Sequence, residues 1–314
     1  MTQAVHKRCL SVRGKPYNER PWDRFFDFID AGADRYGLLS ALTEELALNS
    51  VVLPIGENRH FFILPAGQNM GAGGFPFRGQ SPVILAAHYD RVEGSSGAND
   101  NSAAVFMLLK TAIRLGKQGT GYWIIILTDK EELTGNEGPE DQGSFSLADY
   151  LRRGGLGDAR IFIFDACGAG DTIVVSGTTD YLLKNEEGRG VTKTRQLIQA
   201  LRDTALDTAR YLTLEKVLIA PTPFSDDAGF LRAGLPAQTI TVLPQDEAAS
   251  YASLLRLRPE FAGILLAGTG HNTADRFLIP ETWRTLNGPS DSYLRLTPEH
   301  YGQVIRFASA LCAT

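Results

Sequence analysis

Four short strand-like runs, three of them continuously apolar (83–87, 122–127 and 161–164) and a fourth largely apolar (237–243), constrain this chain more than any other feature. A strand with one face in water alternates apolar and polar residues, whereas a run without alternation is covered on both faces. Between the runs the apolar residues take helical spacing. Residues 101–117 bring Ala104, Met107, Leu108, Ile113 and Leu115 to one face, and 298–311 read as a closing helix. Buried strands alternating with helices place the chain in the α/β class, with a mostly parallel mixed central sheet flanked by helices on both faces. In such sheets the functional groups gather beyond the carboxyl ends of the strands.

The remaining segments fit around that frame. Residues 22–49 have helical spacing through Phe25, Phe26, Phe28, Ile29, Leu38 and Leu39, and 51–53 and 61–64 are strand candidates. A loop rich in glycine and proline covers 66–82, and 244–287 is the least regular stretch, an elaboration rather than a second domain. There is no internal repeat, so the expectation is one domain over 1–314, with a helical segment at 1–50 packing on it. With 314 residues and 43% hydrophobic content the chain has enough apolar material for a large core.

The net charge of −5 and the absence of a long Lys/Arg run argue against a nucleic-acid partner. Cys9, Cys167 and Cys312 form neither a disulfide framework nor a cysteine-rich zinc site, and fit a reducing compartment. No stretch approaches the roughly 18–20 apolar residues of a membrane span, and the first 22 residues do not read as a signal peptide. The expectation is a cytoplasmic protein without a membrane partner.

The polar residues that carry chemistry follow the buried runs. His88 and Asp90 come directly after the first, and in extended backbone they point to the same side. A carboxylate there can fix an imidazole that binds a metal, although a lone histidine at a strand end is more often satisfied by ordinary hydrogen bonds. Gly97-Ala98-Asn99-Asp100-Asn101-Ser102 precedes the helix. Capping explains one acidic residue at that place, but leaves open why a His-x-Asp lies just upstream. Glu131-Glu132 follows the second run. Adjacent glutamates usually decorate a surface; at the end of a buried strand they diverge, so that one can bind a metal while the other faces its water. Asp165 ends the third run, where an unpaired carboxylate is costly. Last comes His271-Asn272-Thr273-Ala274-Asp275, in a glycine-rich stretch.

In that order, His-x-Asp, Gly-Ala-x-Asp-Asn, Glu-Glu, a strand-end Asp and a late His-x-x-x-Asp resemble the two-zinc aminopeptidases of the twenty-eighth metallopeptidase family, of the bacterial leucyl type. The segment from Phe224 through Ser225-Asp226-Asp227 to Gly234-Leu235-Pro236-Ala237 is similar to that family as well, and the resemblance covers about 83–275. It implies the zinc-exopeptidase fold and two Zn2+ ions per chain. His88 and Asp165 hold one and Glu132 and His271 the other, with Asp100 between them, Asp90 orienting His88 and Glu131 as general base. The implied activity is hydrolysis of the N-terminal residue of peptides with a free N-terminus.

Three departures stand out: Asp227 where the family often has His, Asn272 after the last ligand, and a longer segment at 133–142. That segment resembles a related branch, the glutaminyl-peptide cyclases, which use one zinc held at the positions of Asp100, Glu132 and His271. Asp100-Asn101 and Gly270 match the peptidases better. A non-catalytic scaffold of the same fold is the third reading, disfavoured because no ligand position is missing. No Gly-x-Ser-x-Gly elbow or phosphate loop points elsewhere. Cys167 near Asp165 reads as a small buried residue. Side-chain preference is set by pocket shape, with 133–142 and 245–288 as the expected walls.

Overall fold

The computed structural model describes residues 19–30, 34–71, 74–77, 79–119, 121–267 and 273–313, the side chains of 273 and 274 excepted. Its strands are β1 (Ser50–Ile55), β2 (Asn58–Ile63), β3 (Val83–His88), β4 (Trp123–Thr128), β5 (Arg160–Phe164), β6 (Thr172–Ser176), β7 (Val217–Ala220) and β8 (Gln238–Leu243). They form one sheet in the order β1-β2-β4-β3-β5-β8-β6-β7. The four central strands, β4, β3, β5 and β8, run parallel, and these are the four strand-like runs of the sequence. An antiparallel hairpin, β1–β2, extends one edge; β6 joins β8 antiparallel and carries β7 at the other.

The helices are α1 (Phe25–Asp30), α2 (Arg35–Glu45), α3 (Ala103–Gln118), α4 (Gly143–Arg153), α5 (Thr178–Leu183), α6 (Arg189–Tyr211), α7 (Asp227–Arg232), α8 (Gln245–Leu257), α9 (Phe261–Leu266), α10 (Thr273–Arg276), α11 (Glu281–Arg284) and α12 (Tyr301–Leu311). Period-two alternation sorts the strand side chains between two cores. Val83, Leu85, Ala87, Phe162 and Phe164 face α1, α2, α3, α6 and α12. Ile84, Ala86, Ile161 and Ile163 face the other way, onto Leu147 and Leu151 of α4 and Phe230 of α7. Both faces are therefore covered, which is why these strands read as unbroken apolar runs.

Phe106 of α3 fixes the N-terminal helices to this frame. Its ring lies 5.5, 5.2 and 5.5 Å from those of Trp22, Phe25 and Phe28, separations at which aromatic pairs add to the gain from burial. The helical spacing over residues 22–49 corresponds to α1 and α2, and Asp34 caps α2 by accepting from Gly37 N at 3.0 Å. The stretch 244–287 is more regular than expected. Its helix α8 places Ala248 and Tyr251 on the core beside Phe261 and Trp283, a pattern masked in the sequence by the polar residues around them. No helix among the described residues is long and apolar enough to cross a membrane.

Candidate metal centre

The parallel strands deliver their terminal residues to one place. His88 ends β3 completely buried, with Nε2 3.0 Å from Asp100 Oδ1 and 3.6 Å from Asp165 Oδ1. Its Nδ1 is 3.3 Å from Asp90 Oδ1, the relation expected of side chains two apart in extended backbone. Asp90 has a further role that spacing did not show. Its carboxylate accepts from Glu131 N at 3.1 Å and Glu132 N at 3.0 Å, joining the loop after β3 to the loop after β4. Those two bonds and His88 outweigh burial and hold Asp90 below the usual carboxylate range.

Asp100 is not a helix cap. Its backbone (φ −114°, ψ 86°) is not helical, and its side chain turns to His88. Asp291 holds the turn, since its Oδ1 accepts from Asn99 N at 2.8 Å and its Oδ2 from Asp100 N at 3.1 Å. Arg35 of α2 braces the same region. It donates to the carbonyls of Tyr89, Asp90 and Ser96 and to Ser102 Oγ, which ties the loops bearing Asp90 and Asp100 together. Asp291→Ala strands two buried N–H groups and is expected to cost about 2–3 kcal/mol. Urea unfolding that gives the wild-type value would show that the turn holds without it.

Glu131 lies beside the buried Gln142, whose Nε2 donates to Glu131 Oε1 and to the Glu131 carbonyl, both at 3.1 Å. Gln142 ends the long 133–142 segment, so that insertion delivers a residue that orients Glu131. The next residue, Gly143, leaves no room for a side chain: an added Cβ would sit 2.0 Å from Asp129 O. Gly143→Ala should therefore destabilise the fold by about 1–3 kcal/mol through overpacking. It should also displace the β4 loop, a shift that backbone amide NMR changes at Glu131 and Glu132 would report.

The cluster is strongly under-compensated in charge. Burial, opposed by His88 and reinforced by Glu132 and Asp165, holds the Glu131 carboxyl well above its ordinary range. Burial and the charge of Asp100 push Glu132 up to about 9. Burial and Asp165 raise Asp100. His88 goes the other way from a normal buried imidazole: burial lowers it, but Asp100, Asp165 and Asp90 raise it well above its ordinary value.

This arrangement fits a metal ion. His88, Asp100 and Asp165 offer ligand atoms within 4.8 Å of one another, as do His88, Glu131 and Glu132. Asp165 Oδ1 is buried and accepts no hydrogen bond. The donors are nitrogen and carboxylate oxygen, a set suited to zinc. A cation among them would relieve the repulsion that raises their acids.

His271, the fifth ligand candidate, lies outside the described residues, as do Gly268 to Asn272. Asp275 pairs with Arg258 at 3.2 Å. Asp226 and Asp227 are buried behind the centre. Thr128 Oγ1 donates to Asp226 at 2.5 Å, Ser225 N donates to Asp227 at 3.0 Å, and burial pushes the two acids up to about 6 and about 7. Cys167 is a buried thiol pushed well up, first by burial and then by Asp165.

Asn287 is a site residue that no motif announced. With its amide oriented to suit its neighbours, Nδ2 donates to Glu132 Oε1 at 2.7 Å and to Asp100 Oδ2 at 3.0 Å. Its positive φ of 60° is a conformation asparagine tolerates better than most residues, which is the one local signal it carries. A cavity of about 720 Å³ opens over Asp100, Glu131, Glu132 and Asp165. Its walls come from Leu133 and Gln142 of the long segment, from Thr222, Pro223 and Phe224, and from α9 to α11.

The fold is shared with solved enzymes. The chain is similar to the aminopeptidase LapA of Legionella pneumophila over 93% of its own length and 69% of that chain, with TM-score 0.58 and 14% identity. It is similar to a glutaminyl cyclase of Bacteroides thetaiotaomicron over 92% and 95%, with TM-score 0.61 and 15% identity. It spans about half, 49%, of the length of a zinc aminopeptidase from Bacillus subtilis, which covers 81% of this chain at 16% identity and TM-score 0.49. At these identities the likeness speaks for the fold. No curated protein matches the sequence. Residues 73–277, well over half of the chain and the part that carries every strand-end carboxylate, match the profile of peptidase family M28, and the chain belongs to that family.

Proposed function

We propose that the chain is a metal-dependent aminopeptidase acting on peptides with a free N-terminus. The observation that carries this reading is the placement of Glu131: a carboxyl oriented by Gln142 within the same cluster as His88, Asp100, Glu132 and Asp165. His88 and Asp165, with Asp100, would hold one zinc ion; Asp100, Glu132 and His271 would hold a second. When bound, zinc polarises the scissile carbonyl and acidifies a water molecule.

The residues of the chain then do the following. Glu131 takes the proton of the attacking water on a carboxylate oxygen, the water oxygen bonds to the carbonyl carbon, and the C–N bond breaks. Glu131 returns that proton to the leaving amine nitrogen, so it ends the cycle as it began. Gln142, by holding Oε1, keeps the carboxylate aimed. Asp90 fixes the His88 ring through Nδ1, which leaves Nε2 for the metal.

A second reading, a cyclase acting on N-terminal glutamine with one zinc, is favoured by the long segment ending at Gln142. The two separate on products. Zinc-loaded protein incubated with leucine amide and with a glutaminyl peptide should release free leucine and leave the glutaminyl peptide uncyclised. Cyclised peptide with no leucine would make it a cyclase, and neither product from zinc-loaded protein would return the non-catalytic reading.

A further inference from the structure

The cavity above the carboxylates contains two cations among its described lining residues, Arg276 of α10 and Arg284 of α11. Neither has an ion-pair partner among the described residues. The nearby acids are already engaged: Asp275 pairs with Arg258, and Glu281 pairs with Arg295 at 2.7 Å. Arg284 is held in place, with Nη1 donating to the Phe277 carbonyl at 3.1 Å and its guanidinium 5.5 Å from the Phe277 ring. Around the arginines the wall is largely apolar, formed by Ile264, Leu265, Ile279 and Trp283.

A site that only received a neutral side chain would gain nothing from these charges. A guanidinium presents a planar fork that matches a carboxylate in two parallel hydrogen bonds, and an apolar surround strengthens the pair. The cavity thus combines carboxylates with two guanidinium groups that form no close ion pair among the described residues, Arg284 acting on Glu281 only at longer range. Its volume suits a ligand of a few residues.

We infer that Arg276 and Arg284 bind a carboxylate of the substrate, so that the preferred substrates are short peptides bearing a negative charge close to the scissile bond. This rests on the aminopeptidase reading above, with the substrate's amine and scissile carbonyl at the carboxylate-lined part. The charge has two possible sources, the C-terminal carboxylate of a dipeptide or tripeptide and the side chain of an acidic first residue.

Two matched pairs distinguish them in zinc-loaded protein: Leu-Ala against its C-terminal amide, and aspartyl p-nitroanilide against asparaginyl p-nitroanilide. A charge-assisted hydrogen bond corresponds to roughly a 10- to 100-fold preference in kcat/KM for the charged member. Preference within the first pair assigns the C-terminal carboxylate, and within the second the acidic side chain. In either case the ratio should collapse towards one in Arg276→Gln or Arg284→Gln. Hydrolysis of both pairs without preference overturns the inference and leaves the aminopeptidase reading intact. Calorimetric binding of both matched pairs to zinc-loaded Glu131→Gln protein supplies a readout without turnover. Tighter binding of the charged member of either pair there, with no hydrolysis by the wild type, supports the arginines while removing the aminopeptidase reading. Equal binding together with no hydrolysis overturns both.

Discussion

Glu131→Gln is expected to lower kcat by roughly 10²- to 10⁴-fold, the range for loss of a positioned general base, while zinc content stays at the wild-type value. The substitution keeps the shape of the side chain and an acceptor for Gln142 Nε2. It removes the ability to carry a proton from the water to the leaving amine. A second effect separates this from a folding defect. In metal-free protein Glu131 is an acid held well above its usual range by burial and by neighbouring negative charge, so an amide there relieves repulsion. The metal-free variant should melt no lower than metal-free wild type at pH 8, and its inactivity then has a chemical cause. Near-normal kcat in the variant would remove Glu131 from the role of base, and Gln142 with it.

The architecture was legible because burial on both faces writes itself into the sequence. β3, β4 and β5 carry unbroken apolar runs, β8 interleaves buried threonines with Ile240, Val242 and Leu243, and together they are the parallel centre of the sheet. Of the other four, β1 and β2 were visible as strand candidates, while β6 and β7 left weaker traces. β6 has only Ile173, Val174 and Val175 as an apolar stretch, and β7 is a half-exposed edge of four residues, too short for a period to establish itself. The 244–287 region reads as irregular because α8 buries only Ala248 and Tyr251 among polar residues and the helices after it are short.

For the site, spacing located the residues that sit directly on strand ends. His88, Asp90, Glu131, Glu132 and Asp165 follow buried runs, and topology brings them together with Asp100. What stayed hidden are the groups that reach the centre from far along the chain. Asn287 and Asp291 come from a turn more than a hundred residues beyond Asp165, and Arg35 from the N-terminal helix. An isolated Asn, Asp or Arg has no pattern of its own, so only contact in three dimensions reveals it. Asp100 had two readings in the sequence, a helix cap and a metal ligand, and its contact with His88 in the fold goes with the second.

Metal removal should make the stability of the protein fall as pH rises, and metal addition should abolish that slope. In the metal-free fold, burial and like charges raise Glu132 to about 9, and burial raises Asp226, Asp227 and Asp291 to about 6, about 7 and about 7. Their ordinary values are 4.5 for Glu132 and 3.8 for the three aspartates. A group whose folded pKa is raised holds its proton after the unfolded chain has lost it, so its stabilising effect is complete below the unfolded value and is lost as pH climbs through the folded one. His88, also raised, acts in the same sense. His60 opposes them: burial lowers it to about 4 from 6.5, so its influence is confined to that lower window. Above pH 6.5 the effect of Asp226 is already spent, Asp227 and Asp291 act only up to about 7, and Glu132 carries the slope towards pH 9 with His88 acting in the same sense. Chelated protein should lose about 5–10 °C in Tm between pH 6.5 and 8.5. With zinc at a thousandfold excess over Kd, binding contributes about 4 kcal/mol. Tm should then stay level or rise over the same window, because the ligands must be deprotonated to bind and higher pH favours that state. Differential scanning calorimetry with chelator and with zinc, at three pH values, reads both slopes. Parallel slopes in the two conditions would mean that no metal binds among these carboxylates, and the repulsion between them would need another cation to explain its presence in the fold.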